Sequence, residues 1–454
     1  MFPRRKSKTA GLRGSALLVA LLFLALFLSL AVAIAAGADI NLSISRNRAE
    51  AHQASALAES GILLVMKSLA GAPVPGTADI ADLHEAIASR LATVWNDSTM
   101  LNAAAITSDG EGVCLPTITL VRPDGRSGTI DLALRSDGGA TALPVVTVES
   151  TGRFGNAVRY VSCRMTTLDG WSLISRYAVA ARSHIQMTGN ARIEGANDPQ
   201  EGSLLSATYV EMEAITLQGG VYVSGDVAVC NPDAAIFKTG KVCVDGSEIY
   251  GAAEVPWPTT DPALFEPFAT QVITASPPPG SVLSNIRIPA NTNLTFNSDV
   301  VINGVVYIES PNNVKFSGGL SLTGLIVTEK AESLVGNTIT FAGHTSVQGV
   351  EDLPPGAEYD GLRNLGGSFL LAEGFAAKFT GSFTTLNGSM VASAFEFSGN
   401  AGGTIRGTLV NLSDSYFDVK GTVGLTFDRA GASTNPAGIV RPYVLVWVPG
   451  SYEE

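Results

Sequence analysis

Residues 15–38 (SALLVALLFLALFLSLAVAIAAGA) run for 24 positions without a charged side chain. As a helix rising 1.5 Å per residue they span about 36 Å, more than the roughly 30 Å of a bilayer's hydrocarbon core. Ahead of them, residues 1–14 carry Arg4, Arg5, Lys6, Lys8 and Arg13 and no acid. A secretory signal peptide has an apolar region of only about 7–15 residues, so this run reads as one membrane helix rather than a cleaved signal. The basic flank then stays cytoplasmic, and the body after Asp39 is exported. That body is not disordered, because 46% of the chain is hydrophobic. It is also a poor partner for nucleic acid, since the formal charge is −12.

The helical pattern continues past the apolar run. Residues 39–69 contain no proline, and Ala49, Ala51, Ala54, Ala56 and Ala58 form a small-residue surface, with Glu50 and Glu59 expected on the polar side. Alanine favours helix, and its small side chain lets a neighbouring helix approach closely. The junction is more specific. Arg13-Gly14 followed by Ser15-Ala-Leu-Leu-Val resembles a prepilin peptidase site with cleavage between Gly14 and Ser15. Residues 46–50 (RNRAE) and 54–61 (ASALAESG) are similar to the N-terminal segment of PilX-type minor pilins of type IV pili, and to K-type minor pseudopilins of type II secretion. The resemblance implies an inner-membrane anchor, a periplasmic body and later display on a pilus or the cell surface. Its implied partners are prepilin peptidase and other pilins or pseudopilins that pack along the helix. Major pilins of the family carry glutamate at the fifth mature position. Here that position is Val19, which favours a minor subunit. Removal of the leader would take the formal charge from −12 to −17.

A breaker cluster at 71–78 (GAPVPGTA) ends the helix. Residues 80–95 then place Leu83, Ile87, Leu91 and Val94 at helical spacing. From Leu115 the period becomes two. Five runs (115–123, 128–136, 143–152, 157–167 and 170–182) are separated by DG, GG, GN and DG turns, as in an antiparallel meander. A helix followed by a meander matches an α+β pilin-like head, expected at 71–182. Residues 149–161 (ESTGRFGNAVRYV) are also similar to the sheet of PilX-containing proteins.

Beyond 183 a segment of the form x-(Phe/Leu/Met)-x-Gly recurs as QMTGN, TLQGG, KFSGG, TFAGH, KFTGS and EFSGN, with TFNSD a degenerate copy. Each is followed by a second turn glycine and an apolar run. Short strands joined by glycine turns at a period near 20 predict an all-β repeat region, a right-handed parallel β-helix, with a β-sandwich as the alternative. The Pro-rich stretch 252–285 (with EVPWPTTDP and SPPPG) and the insertion 350–365 interrupt the pattern. The expected organisation is a leader at 1–14, a helix at 15–70, a head at 71–182, β-helix at 183–251, a linker at 252–285 and β-helix at 286–454. The strand-like run 441–449 is expected to cover an end of that β-helix.

Candidate chemistry is sparse. Cys114 and Cys163 fall in the head and Cys230 and Cys243 in the early repeat region, so Cys114–Cys163 and Cys230–Cys243 are the simplest disulfides. Three connectivities remain open, as does a set of buried thiols. No C-x-x-C occurs, and His52, His84, His184 and His344 are isolated surface or turn residues in this reading, so no metal or other cofactor is expected. Polysaccharide-cleaving β-helices need clustered acids, yet Asp226, Asp245, Asp299, Lys315 and Arg406 occupy different coils and turn positions. The sequence therefore reads as a non-enzymatic structural subunit with a surface or polysaccharide ligand. The alternatives are a polysaccharide-active enzyme on the same anchor, or an envelope protein whose signal anchor joins no filament.

Overall fold

The structure is a computed structural model that describes residues 12–69, 73–74, 80–96, 101, 105–109, 111–137, 144–210 and 212–454; residues 1–11 of the expected leader lie outside it. The chain divides into two units. One comprises 1–70, 77–166 and 446–454, and the other 71–76 and 167–445.

In the first unit, helix α1 (Leu12–Leu69) is unbroken over 58 residues. Its C-terminal half buries Ala54, Ala58, Ile62, Val65 and Leu69, which fall three or four apart and share one face. That face meets an antiparallel sheet whose strands Ser127–Asp137, Val145–Phe154 and Ala157–Asp169 pair in order. The approach is close: a Cβ on Gly152 would run into the backbone of Ala54 and Ala58. Part of the alanine surface thus serves the chain's own sheet, while Ala49 and Ala56 stay exposed. Helix α2 (Ile80–Trp95) buries Leu83, Ile87 and Leu91 as the spacing predicts. Trp95 takes the buried place expected of Val94, and its indole N–H donates to Ser68 Oγ at 3.0 Å.

The head differs from expectation at both borders. The run 170–182 is not a fifth meander strand. Asp169 accepts the Trp171 N–H through one oxygen and pairs with Arg441 (2.6 Å) through the other, starting the short helix Gly170–Ile174. The Asp-Gly that resembles a turn is a helix cap. The last residues do not cover the β-repeat either. Val448 N–H donates to Arg164 O at 3.0 Å, and Ser162 and Glu453 exchange both backbone hydrogen bonds, so 446–454 closes the first unit. Unmet backbone groups at the sheet edge give those residues their partners. In sequence, the whole second unit is an insertion into the first.

The second unit is β-rich, and its pairings are parallel in every ladder of its main sheet. In one ladder the spatial order is Phe296, Phe316, Phe341, Phe379, Phe397, Val419, Met187, Leu217, Lys238. The repeated x-(Phe/Leu/Met)-x-Gly segments lie directly over one another. Neighbouring rings from Phe296 to Phe397 stack at 4.5–5.5 Å and within 13° of parallel. Two further ladders, through Leu409–Val179–Leu204 and through Leu425–Ile193–Val223, give each turn of the chain three strands. Repeat glycines serve two needs. Gly219 has φ +105 over Gly189, whereas Gly343 lies outside the left-handed region and instead has no room for a Cβ against Gly318 O.

Val419 pairs with Met187, and Met187 with Leu217, so the chain enters this stack in its middle. Coils 204–250 extend one way, and coils 271–427 return from the far end to seal the other side of the first coil. The Pro-rich segment must therefore travel the length of the stack. It does so over a second apolar layer, the outward side chains Ala180, Leu205, Val305, Leu325, Leu371, Val391 and Val410. Phe265 from this segment and Val350, Tyr359 and Leu362 from the second insertion cover that layer. Thr260 donates from both N–H and hydroxyl to Glu373 (3.0 Å each), and Arg287 bridges Glu266 of the linker to Glu309 of the stack.

The two ends are closed differently. At the Phe296 end, Ser276 accepts from Asn297 N–H and is followed by three prolines, which have no N–H to extend a ladder. At the other end Lys238 stands opposite Leu217 and Glu248 opposite Val227, so both occupy apolar core positions. They form an ion pair with each other, and the Tyr250 hydroxyl donates to Glu248 at 3.2 Å.

Candidate functional site

Among the described residues, the N-terminal half of α1 forms a long apolar surface without an internal partner. From Leu17 to Ile44 its apolar side chains are exposed, with Leu18, Leu24 and Phe27 each about two-thirds accessible. This segment is long and apolar enough to cross a membrane. Gly14 and Ser15 fall within the first turns of α1, whose side chains are outside the described residues. Val19 is exposed among these residues.

The exposed and packed halves of α1 meet at Glu50, which is only 5% exposed rather than on the polar side. Arg46 Nε lies 3.2 Å from its carboxylate and Arg126 Nη2 3.0 Å, while the Asn156 backbone N–H donates at 3.2 Å. The Asn156 N–H and then Arg46 hold this carboxyl below its ordinary value. Arg126 also sits over the Phe154 ring at 5.2 Å. These groups line an open cleft of about 650 Å³ with Ser43 and Asn47. The spacing Arg46…Glu50 is a helical i,i+4 pair legible in sequence. Its partners from the sheet hairpins, 76 and 106 residues away, are not.

The residues weighed for acid–base chemistry stay apart. Asp245 accepts from the Tyr222 hydroxyl (2.6 Å) and the Cys243 thiol (3.3 Å). Asp299 accepts from Gly319 N–H (2.7 Å) and shares a shallow cleft with His344. Arg406 pairs with Asp428 (3.2 Å), Lys315 is exposed, and Asp226 accepts from Ser247 N–H (2.7 Å). Among the described residues no two of these five share a hydrogen bond or ion pair, and no three His, Cys, Asp or Glu side chains converge as metal ligands would.

The four cysteines are free. Cys114 faces Ala133, Ala133 faces Glu149 and Glu149 faces Ser162, beside Cys163. Three strand spacings separate them, about 14 Å, against the 4.4–6.8 Å that a disulfide needs between Cα atoms. Cys230 lies in the covered outer layer, 3.8 Å from Ala253 O, whereas Cys243 is on another ladder and exposed. Burial pushes the Cys163 thiol up to about 12 and Cys230 to about 11. Two histidines are also interior rather than superficial. His84 is fully buried between Asp109 O (3.0 Å) and Ser136 Oγ (2.7 Å), and His184 stacks on Tyr416 at 4.7 Å. A ring with two bonded nitrogens is a satisfied core residue.

The sequence matches no known family model and no curated protein. Among solved structures, it is similar to the crystal structure of the competence-associated pilin ComZ from Thermus thermophilus. That likeness has 12% identity and covers 89% of this chain and 97% of that one, with a TM-score of 0.24. A score so low does not define a common fold.

Proposed function

We propose that this protein is a minor subunit of the PilX type, or a related pseudopilin, in a type IV pilus or type II secretion filament. The carrying observation is that one continuous helix is packed against its own head in one half and left apolar and uncovered in the other. A helix of that kind needs a non-aqueous partner, first lipid and then the corresponding helices of other subunits. The residues around Gly14 and Ser15 support entry by prepilin peptidase, and Val19 in place of an acid supports a minor position. The inserted second unit, wound as a right-handed parallel β-helix in this reading, is displayed for assembly, adhesion or cargo binding. Its dispersed acids support a non-enzymatic role.

Replacing Gly14 by a bulky residue tests the proposal in cells that carry a prepilin peptidase. The wild-type chain should lose residues 1–14 and the variant should keep them, as read by the mass of the membrane-extracted protein. Equal masses would overturn the filament reading and leave a signal-anchored envelope protein.

A further inference from the structure

One cleft in the second unit is built differently from the scattered acids around it. It measures about 460 Å³, within the range of small-ligand pockets, and is lined by Arg176, Tyr177, Asp198, Gln200, Asp226 and Arg429 among others. Its polar walls are held from behind. Asp198 Oδ1 accepts the Gln200 N–H (2.9 Å), and Asp226 Oδ1 accepts from Ser247 N–H (2.7 Å) and Gln200 Nε2 (3.3 Å). Gln200 Oε1 accepts from Ser203 (3.0 Å), and Arg429 donates to the carbonyls of Arg176 (2.7 Å) and Glu201 (3.4 Å). Each acid thus has one oxygen fixed by the protein, while among the described residues Oδ2 of Asp198 and Asp226, the Arg176 guanidinium and the Tyr177 hydroxyl are engaged in no hydrogen bond. Glu201 is different: Asn197 and the Arg429 backbone N–H occupy both its oxygens.

We infer that this cleft binds a neutral saccharide. Two fixed carboxylate oxygens disfavour an anion, and two arginines disfavour a polycation. A pre-positioned set of free acceptors and donors beside a tyrosine ring matches the alternating hydroxyls and apolar face of a sugar. No third acid joins the two free oxygens to make a metal site among the described residues. The inference rests on the reading of the second unit as a displayed binding surface, and it names the ligand class of that surface.

The test uses the full chain in detergent micelles, applied to an array of neutral glycans alongside polygalacturonate and spermidine. Wild-type protein should bind at least one neutral glycan and neither charged probe. Asp198→Asn and Asp226→Asn each keep the pinned Oδ1 acceptor and turn only the free oxygen into a donor, so the fold should survive, as checked by circular dichroism. Each should weaken glycan binding about tenfold or more, and the double variant should abolish it. Absence of binding to every neutral glycan, preference for a charged probe, or equal binding by the double variant would overturn the inference. Glycan binding by a chain whose leader is never removed would discard the filament reading and keep this one.

Discussion

Two apolar surfaces of this protein meet opposite fates. The outward layer of the parallel stack, from Ala180 through Leu325 to Val410, is covered by Phe265 of the Pro-rich segment and by Val350, Tyr359 and Leu362 of the second insertion. The first half of α1 is more apolar still, yet none of the described residues covers it. Long insertions are tolerated because loop entropy rises only slowly with length, and here two of them seal a face that would otherwise be sticky. A chain that closes one apolar face so thoroughly and leaves another bare marks the bare one for an outside partner. The packing against Gly152 begins just where that bareness ends.

The cover over the stack carries the largest expected effect. Phe265→Ala removes a fully buried ring from the covered layer and should cost about 3–5 kcal/mol, with new binding of a hydrophobic dye. Calorimetry of the full chain would show it, and an unmoved transition would mean that the Pro-rich segment is only a tether. On the uncovered surface, Leu24→Arg should leave both unfolding transitions within about 0.5 kcal/mol of wild type. It should nonetheless weaken membrane insertion by about 2.5–3.5 kcal/mol, measured as the fraction integrated in a microsomal insertion assay. A variant that instead unfolds the head would show that this half of α1 has an internal partner.

A third apolar surface, the end of the stack, is closed by charge rather than by a cover. Lys238→Phe would extend the ladder Phe397–Val419–Met187–Leu217 to an unprotected ring and leave Glu248 without its cation. Concentration-dependent association should appear in sedimentation velocity, with little change in the unfolding midpoint. A strictly unchanged association state would assign the capping to Tyr250 alone. The smallest effect concerns the border between the bare and packed halves of α1. Because Glu50 is held below its ordinary value of 4.5, its contribution is complete above that pH and is lost as the pH falls through the lower folded value. Glu50→Gln should be less stable at neutral pH and show a flatter acid limb below pH 4.5, by thermal unfolding across pH.

Much of this was legible because it is periodic or local. The uncharged run, the proline-free continuation and the α2 spacing each follow from neighbouring residues and predict helices that the structure contains, and the Phe-x-Gly repeat predicts its β-rich body. The remaining features depend on residues far apart in the chain. Asp169-Gly170 reads as a turn until Arg441, far along the chain, is seen holding the aspartate. Glu50 reads as solvated until two hairpins close over it. The ladder has two members outside the expected pattern, Val419 and Lys238. Lysine at a stacked position is a stop signal that a consensus of apolar residues passes over.

By itself the sequence determined the apolar helix, the strand-and-turn repeat and the two Pro-rich interruptions, because hydrophobic period, charge and the φ restrictions of glycine and proline act within a few residues. Only the tertiary structure decided the order of the coils. The stack begins in its middle at 179–195, and the last nine residues return to the head. A backbone edge pairs with any strand of fitting register however distant in sequence, and no local pattern records which edge is left open.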